Sequence, residues 1–237
     1  MQQQKQQRKM SFRVVVGSHV NYGLALGYML QSIKDRGFPM GQVIVVIAGA
    51  EADALVDKGP DDIVILYARI NAYDLTHVSA IHRHIDHPRI AADAYVVVHD
   101  CCLAQEAFPE RVEASARELL ERDLDVLYAC ADRKLGLATL SRSFYERFGP
   151  RYDRTLPKTE AWDAEEQRPR SLAYGLAAGP DKTAHADCRY FYGPGSRIYP
   201  GSDIVRHPIQ IDSLGIVKFV ANNDADKNPP WEDRIRP

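Results

Sequence analysis

Short β-branched runs alternate with amphipathic stretches through about residue 130 of the chain. Runs typical of buried strands cover residues 12–16, 42–47, 62–66, 95–98 and 125–130. Apolar residues at helical spacing cover residues 22–36, 71–87 and 109–122, and a shorter helix is predicted over 51–58. Strands that alternate with helices in this way form sheets covered by helices. The pattern therefore predicts an α/β fold with a mostly parallel central sheet flanked by helices.

The pattern becomes less regular beyond residue 130. A strand is predicted over residues 135–140, a short helix over 141–148 with Ser141 as its N-cap, and one or two strands within 204–220. Proline and charged residues are frequent between residues 149 and 201, which indicates turns and loops. We expect one domain over residues 11–221, a disordered tail over 1–10 and a polar C-terminal tail over 222–237.

Composition and charge limit the classes of partner. The chain has 237 residues, of which 45% are hydrophobic and 26% charged, and its formal net charge is −2. Neither nucleic acid nor an anionic membrane is therefore expected as the main partner. No apolar run approaches the ~18–20 residues of a membrane span, and the N-terminus lacks the apolar core of a signal peptide, so we expect a cytoplasmic protein. The four cysteines show no CxxC spacing and indicate neither a disulfide scaffold nor a zinc ribbon.

The central feature of the sequence is the segment AYVVVHDCC, residues 94–102. Its continuous β-branched run indicates a strand buried on both faces, and this strand ends in His99 and Asp100. A carboxylate at a strand end can bind a hard divalent cation, and the imidazole beside it can bind metal or donate to a phosphate oxygen. The alternative is structural, with Asp100 capping the following turn and His99 forming ordinary polar contacts.

Polar residues also follow the first and third predicted strands. The side chains suited to a base, ribose or phosphate are Ser18, His19, Asn21, Arg69, Asn71, Tyr73 and Asp74. Because ligands bind outside the carboxyl ends of strands in open α/β sheets, we expect these residues to meet His99 and Asp100 in one nucleotide site. The chain contains neither GxGxxG nor GxxxxGK[ST]. The alternative for both loops is ordinary loop polarity and helix capping.

Three segments together resemble the GT-A glycosyltransferases, which have the nucleotide-diphosphosugar transferase fold. They are VVVGSHVN at the first strand, RINAYDL after the third strand and YVVVHDCC at the central strand. The resemblance implies a GT-A-like nucleotide-binding fold and transfer of a sugar from a nucleoside-diphosphate sugar to an acceptor. In that family the central strand usually ends in Asp-x-Asp, which holds Mn²⁺ or Mg²⁺ against the diphosphate. The corresponding residues here are Val98, His99 and Asp100, with a single acid.

The resemblance also implies roles for individual residues. The expected cation ligands are Asp100, His99 and His207, the last in a segment similar to the closing region of the family. The residues expected to bind the nucleotide are Ser18, His19, Asn21, Arg69, Asn71, Asp74 and His99. An inverting enzyme needs a carboxylate base beside the acceptor hydroxyl, and Glu160 and Asp163 are the candidates. Asp100 is assigned the catalytic role of holding the cation against the leaving group.

Two other functions are compatible with the sequence. Cys101 directly follows Asp100, so a thiol enzyme in which His99 activates Cys101 is one alternative. A non-catalytic relative that retains the sheet and lacks the first acid is the other. A histidine-rich run is expected to form a solvated helix face, since no HExxH motif occurs in it: His77, His82, His84 and His87.

Overall fold

The computed structural model describes residues 10–129, 135–165, 182–186, 190–192, 196–197, 205–206 and 208–219. Its helices are α1 Gly23–Asp35, α2 Thr76–Arg83, α3 Phe108–Glu121, α4 Arg142–Phe148 and α5 Lys158–Glu165. Its strands are β1 Phe12–His19, β2 Val43–Ala48, β3 Ala54–Val56, β4 Val64–Ala68, β5 Ala94–His99, β6 Cys102–Ala104, β7 Val126–Tyr128, β8 Ala138–Ser141, β9 Thr183–His185, β10 Tyr190–Tyr192, β11 Ser196–Arg197, β12 Val205–Arg206, β13 Pro208–Ile211 and β14 Ile216–Phe219. Apart from Met10, both predicted tails lie outside the described residues, as does His207.

An eight-stranded mixed sheet has the strand order β3-β4-β2-β1-β5-β8-β7-β9. Strands β4, β2, β1 and β5 are parallel to one another, whereas β3 and β8 run antiparallel to their neighbours. A second, antiparallel sheet has the order β10-β13-β14-β6, and β11 pairs with β12. The prediction of an α/β fold with a large, helix-flanked central sheet is confirmed.

The central strands of the large sheet are buried on both faces, as the alternation of side chains along β1 shows. Val14 and Val16 belong to a buried cluster that includes side chains of α1 and α3, whereas Val15 belongs to a second cluster with α2 and α4. Successive side chains on a strand point to opposite faces, so each face requires its own apolar set. Every residue of β5 is buried, as expected for a strand covered on both sides.

The order of the parallel strands places a crevice between β1 and β5. From β1 the chain continues outward to β2 and β4, and it then returns to form β5 on the other side of β1. The strand order therefore reverses at β1, and the loops that follow β1 and β5 begin side by side at the carboxyl edge of the sheet, where Gly17 pairs in register with His99. Ligands of open α/β sheets bind in the crevice at such a point, and the predicted residues Ser18, His99 and Asp100 lie at the ends of these two strands.

Three local predictions are wrong or incomplete. Residues 51–58 contain the strand β3 rather than a helix, and Leu55 pairs with Leu66 of β4. A helix of that length is marginal without packing, and the strand instead satisfies the backbone of β4. The helix predicted over 71–87 begins as a 3₁₀ turn at Tyr73–Leu75, and α2 ends at Arg83. Strand β6 was not predicted, because its partner β14 is distant in the sequence.

Candidate functional site

A cavity of about 290 Å³ lies at the carboxyl edge of the sheet, where β1, β2 and β5 end. Asp100 lines this cavity, together with six of the seven residues expected to bind nucleotide: Ser18, His19, Asn21, Asn71, Asp74 and His99. The three strand-end groups expected to converge therefore do so.

Asp100 is joined to Ser18 across the crevice. The Ser18 hydroxyl donates to Asp100 Oδ2 at 2.7 Å, and the Asp100 backbone N–H donates to the carbonyl of Gly17 at 3.0 Å. Burial raises the pKa of Asp100 to about 6; the Ser18 hydrogen bond opposes this change, and the negative charge of Asp74 adds to it. The carboxylate also accepts a hydrogen bond from the backbone of Cys101. Asp100 therefore stabilises its turn, and it is also a half-buried acid whose charge is incompletely compensated.

Contacts with Asp74 and with Gly136 fix the position of the His99 imidazole. Its Nδ1 lies 3.3 Å from Asp74 Oδ1, which pairs the end of β5 with the loop that follows β4. A Cβ added to Gly136 would lie 2.5 Å from His99 Cε1, so the 3₁₀ turn Leu135–Leu137 packs against the imidazole only because residue 136 has no side chain. This packing restricts His99 to one position beside Asp74.

Two exposed aromatic rings line the cavity, Tyr22 at 42% and Tyr73 at 40% exposure. Tyr73 has a φ of 52°, which is unusual for a bulky residue. The Asn71 side chain accepts a hydrogen bond from the Tyr73 backbone N–H at 3.0 Å and so supports this turn. The Tyr22 ring contacts His19 with 5.8 Å between centroids. Planar ligands stack on such rings. Tyr73 belongs to the strand-end group named from the sequence, whereas sequence reasoning missed Tyr22.

His77 also lines the cavity, and sequence reasoning missed it. The prediction of a solvated histidine face is wrong for this residue, which is only 2% exposed. Its Nδ1 lies 3.0 Å from the hydroxyl of Tyr145, and burial lowers its pKa to about 3. The spacing contained the signal, since apolar Ile81 and Ile85 follow His77 at intervals of four residues within the helix predicted over 71–87.

A cation from the second sheet lies near the site. Lys218 of β14 pairs in register with Cys102 of β6, and its positive charge lowers the pKa of Asp100. Sequence reasoning missed Lys218 because only the β6–β14 pairing brings it to the end of β5. It adds a positive charge on the side of the cavity where Asp100 lies.

The environment of Cys101 does not favour a nucleophile. A hydrogen bond with Cys102, together with burial, raises the pKa of the Cys101 thiol well above its ordinary value. The thiolate is the reactive form of cysteine, and a raised pKa disfavours it. The thiol-enzyme alternative therefore gains no support from the surroundings of Cys101.

Three of the predicted site residues do not line the cavity: Arg69, Glu160 and Asp163. The backbone N–H of Arg69 donates to Asp53, and Glu160 pairs with Arg154 at 3.4 Å. Asp163 is buried on α5, which packs against the 3₁₀ turn Tyr73–Leu75. The roles expected for these three residues stay predictions.

The cavity offers carboxylates for a divalent cation. Within the described residues, no three His, Cys, Asp or Glu side chains form a group able to hold a metal ion. Asp100 and Asp74 both line the cavity, and the negative charge of Asp74 raises the pKa of Asp100. A cation would relieve that repulsion, and Mg²⁺ commonly binds through one or two carboxylates plus substrate phosphates. The residues present therefore fit a cation shared with a bound diphosphate, while His207 lies outside the described residues.

Comparison with known proteins does not assign the chain to a family. No family model matches it, and no curated protein matches it by sequence. Within the part of the chain that the structure describes, no helix combines the length and apolar character needed to cross a membrane.

Proposed function

We propose that this protein is a glycosyltransferase that uses a nucleoside-diphosphate sugar as donor, assisted by Mn²⁺ or Mg²⁺. The observation that carries the proposal is the hydrogen bond between Ser18 and Asp100. It joins the ends of β1 and β5 at the position where open α/β sheets bind nucleotides, and the acid in this hydrogen bond is half-buried. The GT-A-like fold is part of the same proposal, supported by the sequence resemblance and by the four parallel strands.

Residues in and near the cavity match different parts of such a donor. The exposed rings of Tyr22 and Tyr73 suit the flat faces of a base or the C–H faces of a sugar. Asp100 is the ligand for the cation, and Lys218 adds a positive charge near the diphosphate. When bound, the cation neutralises charge that develops on the nucleoside-diphosphate leaving group, a type of stabilisation that contributes strongly to catalysis.

Thermal unfolding with nucleoside diphosphates, with and without Mn²⁺, tests the proposal. A ligand that binds only the folded state at about one hundred times its Kd stabilises it by ~3 kcal/mol. We expect diphosphate and Mn²⁺ together to stabilise the protein more than the sum of their separate effects. Asp100→Asn should lose this joint effect, whereas Asp123→Asn, at an exposed acid paired with Lys182, should retain it.

Two results distinguish the proposal from its alternatives. If no nucleoside diphosphate shifts the unfolding temperature with or without Mn²⁺, the donor site is refuted. If nucleoside diphosphates bind but no sugar nucleotide is converted to free nucleoside diphosphate, even by slow hydrolysis, the protein is a non-catalytic relative of the GT-A glycosyltransferases.

A further inference from the structure

The wall of the cavity contains a polar atom that the proposed function leaves unused. His77 lines the cavity and is almost completely buried. Within the described part of the chain, its Nε2 has no hydrogen-bond partner. Buried polar atoms nearly always have partners, because leaving one without a hydrogen bond is costly. The unsatisfied Nε2 therefore indicates a partner that is not part of these residues.

The contact with Tyr145 determines which nitrogen of His77 carries the proton. The Tyr145 side chain is fully buried, and among the described residues Nδ1 of His77 is the hydrogen-bond partner of its hydroxyl. A buried hydroxyl proton without an acceptor is costly, and Nδ1 is the acceptor available to it among the described residues, so we infer that the Tyr145 hydroxyl donates to Nδ1. In a neutral imidazole the proton then resides on Nε2. Burial keeps the ring neutral, although Asp74 opposes this effect.

We propose that the imidazole of His77 hydrogen-bonds to the base of the donor nucleotide and thereby selects it. This inference rests on the proposed function. The His77 Nε2–H donates to the carbonyl oxygen at C4 of a pyrimidine or C6 of a purine, so the protein selects an oxo-base such as uracil or hypoxanthine over the base with an amino group at that position, cytosine or adenine. The physical reason is that Nε2–H needs an acceptor, whereas an exocyclic amino group presents a second donor. A site that hydrogen-bonds a ligand group rejects the analogue that lacks it.

Matched nucleotides test this selection by calorimetric titration in the presence of Mn²⁺. UDP and CDP carry an oxygen or an amino group at the same ring position, and IDP and ADP form the corresponding purine pair. The parent should bind the oxo member of a pair about tenfold or more tightly than the amino member. The two pairs show whether the cavity takes a pyrimidine or a purine.

A variant that tests His77 must also remove the Tyr145 hydroxyl, which donates to the imidazole. His77→Leu alone leaves the Tyr145 hydroxyl buried without an acceptor, whereas His77→Leu combined with Tyr145→Phe replaces both partners and is better tolerated. This double variant should bind both members of a pair with equal affinity and retain the Mn²⁺-dependent contribution. His84→Leu, at the C-cap of α2 and outside the cavity lining, is the matched control and should keep the parental ratio.

A nitrogen NMR spectrum of the imidazole provides a readout independent of binding. His77 should show a protonated Nε2 and an unprotonated Nδ1, with no titration between about pH 5 and 8. A protonated Nδ1, or a selectivity unaffected by the double variant, overturns the proposal. If all four nucleoside diphosphates bind the parent with equal affinity, selection of the base by His77 is refuted and the proposed donor site is retained. If none of them binds, both proposals are refuted.

Discussion

Replacement of Asp100 by asparagine is expected to stabilise the folded protein at neutral pH. Burial raises the pKa of this carboxyl from 3.8 to about 6, and the difference corresponds to about 3 kcal/mol at ~1.4 kcal/mol per pH unit. The folded state binds the proton more tightly than the unfolded state, so stability falls as the pH rises from about 4 to about 6. Asparagine carries no charge and still accepts from Ser18 through its amide oxygen.

Urea unfolding of the parent and Asp100→Asn, followed from about pH 4 to pH 8, measures this effect. The variant should be more stable by about 3 kcal/mol at pH 8, and the advantage should disappear near pH 4. Asp123→Asn, at an exposed carboxylate, should show no comparable gain. The same substitution should abolish the joint stabilisation by Mn²⁺ and diphosphate. An Asp100→Asn variant that is no more stable than the parent at pH 8 would show that partial burial does not destabilise the Asp100 carboxylate.

Three further substitutions examine other parts of the site. Gly136→Ala should displace His99 and weaken nucleoside-diphosphate binding about tenfold by calorimetry. Gly27→Ala, where a Cβ meets nothing within 4 Å, should leave the affinity unchanged. Equal affinities of the two variants would refute the role of the contact between Gly136 and His99. Tyr73→Asn should relieve a backbone strain of about 1 kcal/mol in chemical denaturation yet reduce affinity for nucleotide, and unchanged affinity would remove Tyr73 from the site. Cys101→Ser should retain release of diphosphate from a sugar nucleotide; loss of that activity in a folded variant would revive the thiol-enzyme alternative.

Much of the site could be anticipated because it follows from local pattern and one rule of sheet geometry. The β-branched runs identified the parallel strands, and polar residues directly after them had to lie at one edge of the sheet. Ser18, Asn71 and Asp100 are distant in the sequence, yet all three line the cavity. The same rule does not hold for Arg69, because a strand end specifies an edge and not the direction of each side chain.

The residues that were missed depend on contacts between segments far apart in the sequence. Lys218 reaches the site through the pairing of β14 with β6, which no local spacing reveals. His77 was assigned to a solvated face, although Ile81, one turn further along α2, is buried as His77 is. Burial of that face depends on α4, which supplies Tyr145.

The order of residues alone therefore specifies the α/β class, the buried strands and the loops that carry the polar groups, because periodicity and turn chemistry act over a few residues. Long-range packing specifies the strand order, the conversion of residues 51–58 into β3, and the protonation states of His77 and Asp100. The reason is physical: burial and charge depend on what surrounds a group in space. The neighbours of these groups come from segments that meet only when the sheet assembles.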